Sequence, residues 1–492
     1  MIRTKKIKKY ICLALFFAIA LALLVCVINP VTALDYTYPD MNKIILSDAA
    51  VLMDGDTGQV LFEKNMREKM YPASITKIMT ALLALENGKL SDIITMSYDA
   101  VFTVGRDTSH IALDHTEVIT LEQALYALAI ESANDAANGI AELISGTMLD
   151  FAELMTKRAK ELGAVNTNFS NAHGLPEKTH YTTAYDMARI MSAAIKLPEF
   201  SRIFSAVVYD MPSTNRQPEA RQFNRKNSLV NGPYSYDGLL AEKTGWTGDA
   251  GYTYVAAAKR NGRTLVAVVM KSPDTTARWE DTTALFNYGF DNFISVSYKS
   301  EEFIKEKYII SSSENSGGIN LDINLIPETN FNCLILNSMT KEDIDIKYII
   351  STDGENNKTG ETGEINGKAV FALKQNPEID LSNLMFNELG KVDLQVCFNK
   401  SEESAVNAAA NINSPDSIYT SNNNNKSEQN SQSLFLKILA VISVILQIIG
   451  GIAIIAVILY IRYYVITQKR KKRMRNKNYN RRNKNNYNNM YR

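Results

Sequence analysis

The sequence contains few of the residues that proteins use to hold transition metals. Its 492 residues include four cysteines and four histidines, and Cys12 and Cys26 lie in an apolar run near the N-terminus. No Cys-x-x-Cys motif accompanies the histidines. We therefore expect neither a metal ion nor another cofactor, and a zinc hydrolase is unsupported. For Cys333 and Cys397 two arrangements stay open, a disulfide or two buried free thiols.

Net charge is also absent, with 53 basic and 53 acidic residues, but both ends of the chain are basic. The first ten residues, MIRTKKIKKY, precede an apolar run and then a short segment that ends at Ala33. This order predicts a secretory signal peptide over residues 1–33, cleaved after Ala33. An uncleaved signal anchor is the alternative, because the apolar run is long enough to span a bilayer.

A second apolar run covers residues 438–461 and is interrupted only by Gln447 and small residues. At about 1.5 Å per helical residue, this run predicts a transmembrane helix. Residues 462–492 are rich in Lys and Arg and contain no Asp or Glu, which predicts a cytoplasmic tail. We expect a single-pass protein of the cell membrane, with residues from about 34 to 433 on the extracytoplasmic face. Basic residues directly after a span indicate topology and contact with anionic lipid, not nucleic-acid binding.

Between the two apolar runs the patterning changes twice. Residues 44–295 mix strand and helix signals, with an Asn261-Gly262 turn between two β-rich runs, and predict an α+β domain built on an antiparallel sheet. Residues 298–400 contain short alternating runs separated by Asn, Gly and Ser, which predicts a small all-β domain. Residues 401–433 are rich in Asn and Ser and predict a flexible linker.

One short segment of the α+β region places two polar residues beside an apolar stripe. In YPASITKIMTALLALENG, residues 71–88, the apolar residues follow the i, i+3, i+4, i+7 spacing of a core-facing helix. Ser74 and Lys77 are three apart, so they share one face near the start of that helix. A serine hydroxyl becomes a nucleophile when a neighbouring base takes its proton, and Lys77 can be that base if burial keeps it uncharged. The alternative is a lysine whose stem covers the core while its charge stays in solvent.

Two further motifs give the Ser-x-x-Lys pair a context. Ser-Ala-Asn at 132–134 follows a predicted helix, and Lys-Thr-Gly at 243–245 precedes the predicted hairpin. Second copies of the first and last motifs, at 338–341 and 358–360, lie in polar, turn-rich sequence. In this order the three motifs are the signature of penicillin-interacting serine enzymes. With NTNFSNAHGL, KTGWTGDAGY and ARWEDTTALFNYGF, the chain resembles the D-alanyl-D-alanine carboxypeptidases, the low-molecular-mass penicillin-binding proteins typified by penicillin-binding protein 5.

The resemblance implies a penicillin-binding, β-lactamase-like transpeptidase domain and a catalytic trio. Ser74 would be the nucleophile and Lys77 its general base, with its pKa lowered by burial, by the positive end of its helix and by the cation Lys243. Ser132 would relay a proton to the leaving amine. A helix-end turn without a chemical role is the other interpretation of Ser132.

The same resemblance implies six substrate-binding residues. Asn134 would hold the substrate amide, Lys243 would supply positive charge and Thr244 would bond the substrate carboxylate. The bare edge at Gly245 would let a substrate backbone lie beside the strand, and the N–H groups of Ser74 and Trp246 would hold the oxyanion. Arg278 would receive the terminal carboxylate of the peptide; its alternative is a surface ion pair at a helix N-terminus.

The function implied is a membrane-anchored serine carboxypeptidase that removes the terminal D-alanine from peptidoglycan stem pentapeptides and is acylated by β-lactams. A class A β-lactamase is disfavoured, because no Glu between residues 135 and 240 has Asn four positions later. A penicillin-binding sensor or scaffold is the alternative from another class. No role follows from the sequence for His173 or His180, and Asp186 is expected to cap or pair at a helix N-terminus.

Overall fold

A computed structural model describes residues 38–299, 308–310, 319–321, 323–327, 330–352, 365–374, 388–398, 461–462, 465–467 and 469. Most of these belong to one compact unit, Tyr38–Thr420. The predicted signal peptide 1–33, the linker 401–433, residues 438–460 of the apolar run and most of the basic tail lie outside the described residues. Within the described part of the chain, no helix has the length and apolar character needed to cross a membrane.

In residues 38–299, strands lie near both ends of the chain segment and most of the helices lie between them in sequence. The strands are β1 Ala49–Asp54, β2 Val60–Lys64, β3 Ile93–Thr95, β4 Val118–Thr120, β5 Val208–Met211, β6 Arg221–Asn224, β7 Leu239–Thr247, β8 Gly251–Arg260, β9 Arg263–Ser272 and β10 Phe293–Tyr298. The helices are α1 Met41–Ile44, α2 Lys77–Asn87, α3 Tyr98–Phe102, α4 Leu121–Ile130, α5 Asn134–Ser145, α6 Met148–Glu161, α7 Ala184–Ala194, α8 Pro198–Phe204, α9 Ser228–Asn231 and α10 Thr275–Asn292.

The central sheet has five antiparallel strands in the order β2-β1-β9-β8-β7. The predicted hairpin joins β8 to β9, and Asn261 and Gly262 have φ of 51° and 80°, the positive values that a tight primed turn requires. The prediction of an α+β fold on an antiparallel sheet is confirmed. The first strand, β1, is buried along its whole length because helices cover both faces of the sheet.

Side-chain alternation along β1 divides the apolar interior into two cores. Val51 and Met53 belong to one cluster, which also contains Ile78 and Leu82 of α2 and buried side chains of α7. Leu52 belongs to the opposite cluster, which includes the α10 side chains. A capping box begins α4, since Thr120 and Gln123 exchange side-chain and backbone hydrogen bonds there.

The helix predicted within residues 71–88 does not start as a regular α-helix. A 3₁₀ turn over Ala73–Thr76 comes first, and the α-helix begins at Lys77. Ala73 has a positive φ of 52°, which a regular helix start would not require. Gly174 packs so closely against this turn that a Cβ at its position would lie 1.9 Å from the Ala73 carbonyl oxygen. The chain therefore enters the helix through a tight turn that its neighbours constrain.

Beyond α10 the described residues are mostly strands. They are β11 Tyr308–Ile310, β12 Ile319–Leu321, β13 Ile323–Pro327, β14 Phe331–Leu336, β15 Ile344–Thr352, β16 Ile365–Leu373 and β17 Glu388–Phe398. Four of them form a sheet in the order β13-β17-β16-β15, while β14 pairs with β10. The side chain of Gln59 exchanges two 2.7 Å hydrogen bonds with the backbone of Leu334. Cys333 is a buried free thiol, and burial raises its pKa to about 12.

Candidate active site

Ser74 and Lys77 meet at the start of α2. Lys77 Nζ lies 3.0 Å from Ser74 Oγ, because the 3₁₀ turn places the serine one turn before the lysine. Lys77 is 0% exposed, whereas Ser74 is only partly buried. A hydroxyl that a substrate can reach thus contacts an amine that water cannot.

Two further oxygen atoms complete the surroundings of the Lys77 amine. Nζ donates to Asn134 Oδ1 at 2.7 Å and to the His173 carbonyl oxygen at 2.7 Å. A backbone carbonyl only accepts hydrogen bonds, and so does the amide oxygen of Asn134, whereas a hydroxyl also donates. An uncharged amine can therefore give its two N–H groups to these oxygens and direct its lone pair at the Ser74 hydroxyl.

The electrostatics favour that uncharged amine. Burial lowers the pKa of Lys77 well below its ordinary value, and the positive charge of Lys243 lowers this pKa further. Asp135 acts in the opposite direction, as the smallest of the three effects. As expected, burial and the charge of Lys243 both lower the pKa of Lys77.

The Ser-Ala-Asn motif is placed against Lys77 by the start of α5. The Asn134 N–H donates to the Ser109 carbonyl at 2.9 Å, and its Nδ2 donates to Thr108 Oγ1 at 3.1 Å, which leaves Oδ1 for Lys77. Ser132 lies two residues earlier, partly buried, in the tight connection between α4 and α5. Its φ of 58° lies in the left-handed region, a backbone conformation that non-glycine residues seldom adopt outside functional or constrained turns.

The Lys-Thr-Gly motif lies on β7. This strand packs against the 3₁₀ turn Ala73–Thr76, which carries Ser74 and is called the nucleophile turn below. A Cβ at Gly245 would lie 2.9 Å from the Ser74 backbone nitrogen and 2.3 Å from Thr253 Oγ1, so only glycine fits there without a shift. Thr253, the partner of Gly245 on β8, donates from Oγ1 to the Pro72 carbonyl at 2.9 Å. Strand and turn are thus held together at the residue before the nucleophile turn.

Lys243 is 2% exposed, and its Nζ donates to the Thr244 carbonyl oxygen at 2.9 Å. Burial lowers the pKa of Lys243 to about 8. Among the charges acting on it, Glu242 raises this pKa, while Arg225 and Arg278 lower it. Thr244 is partly buried, next to Gly245 at the edge strand of the sheet.

The remaining two predicted residues lie at the rim. The Trp246 side chain is 60% exposed. Arg278, in the first turns of α10, has its guanidinium 4.2 Å from the Trp279 ring centroid and 5.3 Å from that of Tyr252. Its Nε is buried without a hydrogen-bond partner, and burial lowers the pKa of this guanidinium. Tyr252 on β8 pairs with Trp246 on β7, so Arg278 lies beside the strand partner of Trp246.

Comparison with known proteins places the chain in a family. Residues 37–274 match the family model for D-alanyl-D-alanine carboxypeptidases, peptidase family S11. A D-alanyl-D-alanine carboxypeptidase, DacD of Salmonella typhimurium, is 31% identical over 291 residues, a match that covers 56% of this chain and 72% of that protein. The chain belongs to the D-alanyl-D-alanine carboxypeptidase family.

Other relatives show how much of the chain is similar to known proteins. DacF of Bacillus subtilis, also named a D-alanyl-D-alanine carboxypeptidase, is 38% identical over 250 residues, which cover 50% of this chain and 62% of the Bacillus protein. The chain thus matches less than two thirds of that relative's length. A crystal structure of penicillin-binding protein 5 from Haemophilus influenzae aligns with a TM-score of 0.55 at 27% identity, over 72% of this chain and 96% of that one. The fold is the penicillin-binding transpeptidase fold.

Within this family fold, the chain segment 168–182 contributes groups that sequence reasoning did not assign. Besides the His173 carbonyl, it supplies His180, whose Nε2 lies 2.9 Å from Thr76 Oγ1. Because His180 Nδ1 accepts from the Ser170 N–H at 3.0 Å, the proton of the neutral ring lies on Nε2 and is donated to Thr76. Burial lowers the pKa of His173 to about 3 and that of His180 to about 4, so both rings are neutral at pH 7. No sequence pattern indicates a backbone carbonyl as a ligand of Lys77.

Asp186, expected to cap or pair, does take part in the start of α7. Thr183 caps that helix by accepting from the Asp186 N–H, and Asp186 Oδ2 accepts from the Asn166 N–H and the Thr167 hydroxyl. Its carboxylate therefore connects α7 to the two residues that precede the segment 168–182. It does not contact the Ser74–Lys77 pair in the hydrogen bonds that the structure gives it.

Proposed function

We propose that this protein is a serine-type D-Ala-D-Ala carboxypeptidase that removes the terminal D-alanine from peptidoglycan stem pentapeptides. The observation that carries the proposal is the 3.0 Å contact between Ser74 Oγ and the fully buried Lys77 Nζ. Family membership supports the reaction class, and the positions of Asn134 and Gly245 around that contact support the site.

Acylation begins when Lys77 Nζ takes the hydroxyl proton and Ser74 Oγ attacks the carbonyl carbon of the penultimate D-alanine. The oxyanion forms beside the backbone N–H groups of Ser74 and Trp246, which are close because β7 packs on the nucleophile turn at Gly245. The C–N bond then breaks, and the proton passes through Ser132 to the leaving amine, which departs as free D-alanine. Water hydrolyses the ester on Ser74 and restores the hydroxyl.

Recognition of the substrate's terminal carboxylate belongs to the cationic side of the cleft. Lys243 and Arg278 supply positive charge, and Thr244 supplies a hydroxyl. The unpartnered Nε of Arg278 supports this role, because a buried guanidinium nitrogen without a partner is costly unless a ligand satisfies it. The Trp279 and Tyr252 rings orient the guanidinium by cation–π contacts.

We also propose, from the sequence, how the protein is placed in the cell. A signal peptide over residues 1–33 exports the chain, a helix over 438–461 holds it in the cell membrane, and the basic tail 462–492 stays in the cytoplasm. Residues 298–400 form a small β domain between the catalytic domain and the linker 401–433. The described strands β13, β15, β16 and β17 support the β assignment.

The test combines covalent labelling with product analysis. Wild-type protein should bind labelled penicillin and convert pentapeptide muropeptides to species lighter by one alanine residue in mass spectrometry. The Ser74→Ala variant should do neither, while it keeps the wild-type melting temperature because Ser74 is partly exposed. Label that still attaches to Ser74→Ala would refute the assignment of the nucleophile. Labelling without release of D-alanine would instead favour a sensor or scaffold.

A further inference from the structure

A buried ion pair adjoins the cation of the Lys-Thr-Gly motif. Arg225 and Glu242 are 4% and 2% exposed, and Arg225 Nη1 donates to Glu242 Oε1. Glu242 is the residue before Lys243 on β7, so its side chain projects from the opposite face of that strand. Arg225 is fixed independently, because its Nε donates to the Ala206 carbonyl oxygen at 2.6 Å.

The pair belongs to a cluster of charges that surrounds β7. The positive charges of Arg225 and Arg278 both act on Lys243, and Glu242 is the carboxylate that acts on both Lys243 and Arg278. Tyr254 on β8 also faces this cluster, and burial raises its pKa, so its phenol is uncharged. From the other side of the cleft, the amine of Lys77 is close enough to Lys243 for their charges to interact.

Stability alone does not account for such a pair. Arg225 Nη2 and Glu242 Oε2 are buried without hydrogen-bond partners, so the contact is single and not bidentate. Buried ion pairs of this kind typically contribute no more than well-packed apolar residues of similar size, since desolvation offsets the attraction. What apolar residues could not supply is a fixed negative charge one residue away from Lys243 on the same buried strand.

We propose that Glu242 and Arg225 are positioning residues that set the charge of Lys243, and with it the pH range over which the site accepts a ligand carboxylate. The inference rests on the proposed function, in which Lys243 meets that carboxylate. Glu242 holds the proton on the Lys243 amine, and Arg225 limits this effect by partly neutralising the carboxylate.

The order of the separate effects on the Lys243 pKa agrees with this division. Burial alone makes Lys243 easy to deprotonate and is the largest reason why its pKa falls to about 8. Glu242 is the next largest effect and raises that pKa, followed by Arg225 and then Arg278, which lower it. As pH rises through about 8, Lys243 loses its charge and carboxylate binding should weaken, which produces an alkaline limb in the pH profile.

The experiment measures this alkaline limb in the second-order rate of acylation by a labelled penicillin, whose carboxylate would meet the same cations. Glu242→Gln should move the limb to lower pH, and Arg225→Gln should move it to higher pH. The double variant Arg225→Met/Glu242→Leu replaces the pair with apolar side chains and should fold even if a single variant does not. Its limb should lie between those of wild type and Glu242→Gln, because Glu242 outweighs Arg225.

A matched control is the Glu117–Arg221 pair, in which Glu117 is also buried and its side chain is 1% exposed. Glu117→Gln should lower the melting temperature but leave the alkaline limb at its wild-type pH. Shifts of both single variants in the same direction, or a double variant with an unshifted limb, would overturn the proposal. The proposed function fails separately, when the wild-type protein is not acylated or releases no D-alanine.

Discussion

The sharpest test of the site is to replace the amine of Lys77 while keeping its volume. In Lys77→Met the thioether fills the space of the lysine stem, but no group remains to take the proton of Ser74. A positioned general base contributes about 10²- to 10⁴-fold, so acylation by labelled penicillin should slow by that factor. This loss corresponds to about 3–5 kcal/mol of activation free energy.

The hydrogen bonds of Lys77 also set what the substitution does to stability. Asn134 Oδ1 and the His173 carbonyl oxygen each lose a 2.7 Å donor, and an unsatisfied buried acceptor costs about 1–3 kcal/mol. Relief from burying an amine acts in the opposite direction, because the lowered pKa of Lys77 means that the unfolded chain holds the proton more tightly. The melting temperature must therefore be measured with the rate, so that the rate can be corrected for the folded fraction.

The pH dependence separates a lost base from a distorted site. Lys77 must be unprotonated to accept the Ser74 proton, so wild-type acylation should fall as pH drops through the Lys77 pKa. Lys77→Met should lack this acid limb, whereas Lys157→Met, at an exposed lysine of α6, should keep both the limb and the rate. A rate within tenfold of wild type, or an acid limb that survives the substitution, would refute the role of Lys77 as the base.

Two other predictions follow from the packing around the nucleophile turn. Gly245→Ala forces a Cβ to within 2.9 Å of the Ser74 nitrogen. A displacement near 1 Å at a reacting group costs about 10²-fold, so acylation should fall by about that factor. In the control Gly248→Ala the new Cβ meets nothing within 4 Å, so this variant should keep the wild-type rate, and equal rates for the two variants would contradict the close approach at Gly245. His180 has a folded-state pKa of about 4 against 6.5 for the free ring, so its contribution to stability is complete above pH 6.5 and decreases by about 3 kcal/mol as pH falls toward 4. Chemical denaturation of His180→Gln should show a correspondingly flatter dependence between these pH values, and an unchanged slope would show that His180 titrates normally.

Sequence patterns predicted the parts of the site that depend on local spacing. The Ser74–Lys77 pair follows from three residues of separation on one face of a helix, and Asn261-Gly262 specifies a hairpin turn by its backbone preference. The arrangement of the three motifs around one cleft was predicted by resemblance, not by spacing. Neither route indicated that the helix starts with a 3₁₀ turn, since that depends on contacts from Gly174 and Thr253.

Other features lay outside the reach of the sequence for physical reasons. A backbone carbonyl such as that of His173 has no residue identity, so no motif can mark it as a ligand. The Arg225–Glu242 pair did leave a signal, because a glutamate within the strand GLLAEKTG interrupts an otherwise apolar run. A charged residue in a buried strand needs a partner, but the sequence does not say which of the chain's many arginines supplies it.

The position of β1 in the sheet determines when during folding the protein becomes reactive. This strand lies between β2 and β9, so residues near 50 find their second neighbour more than 200 positions later in the chain. The nucleophile turn likewise contacts Gly174 and Gly245, which come about 100 and 170 residues later in the chain, so its contacts form only after those segments are present. A chain whose strands β7 to β9 have not yet paired therefore has no assembled Ser74–Lys77–Asn134 site, and we expect Ser74 to react with neither substrate nor β-lactam before those strands are in place.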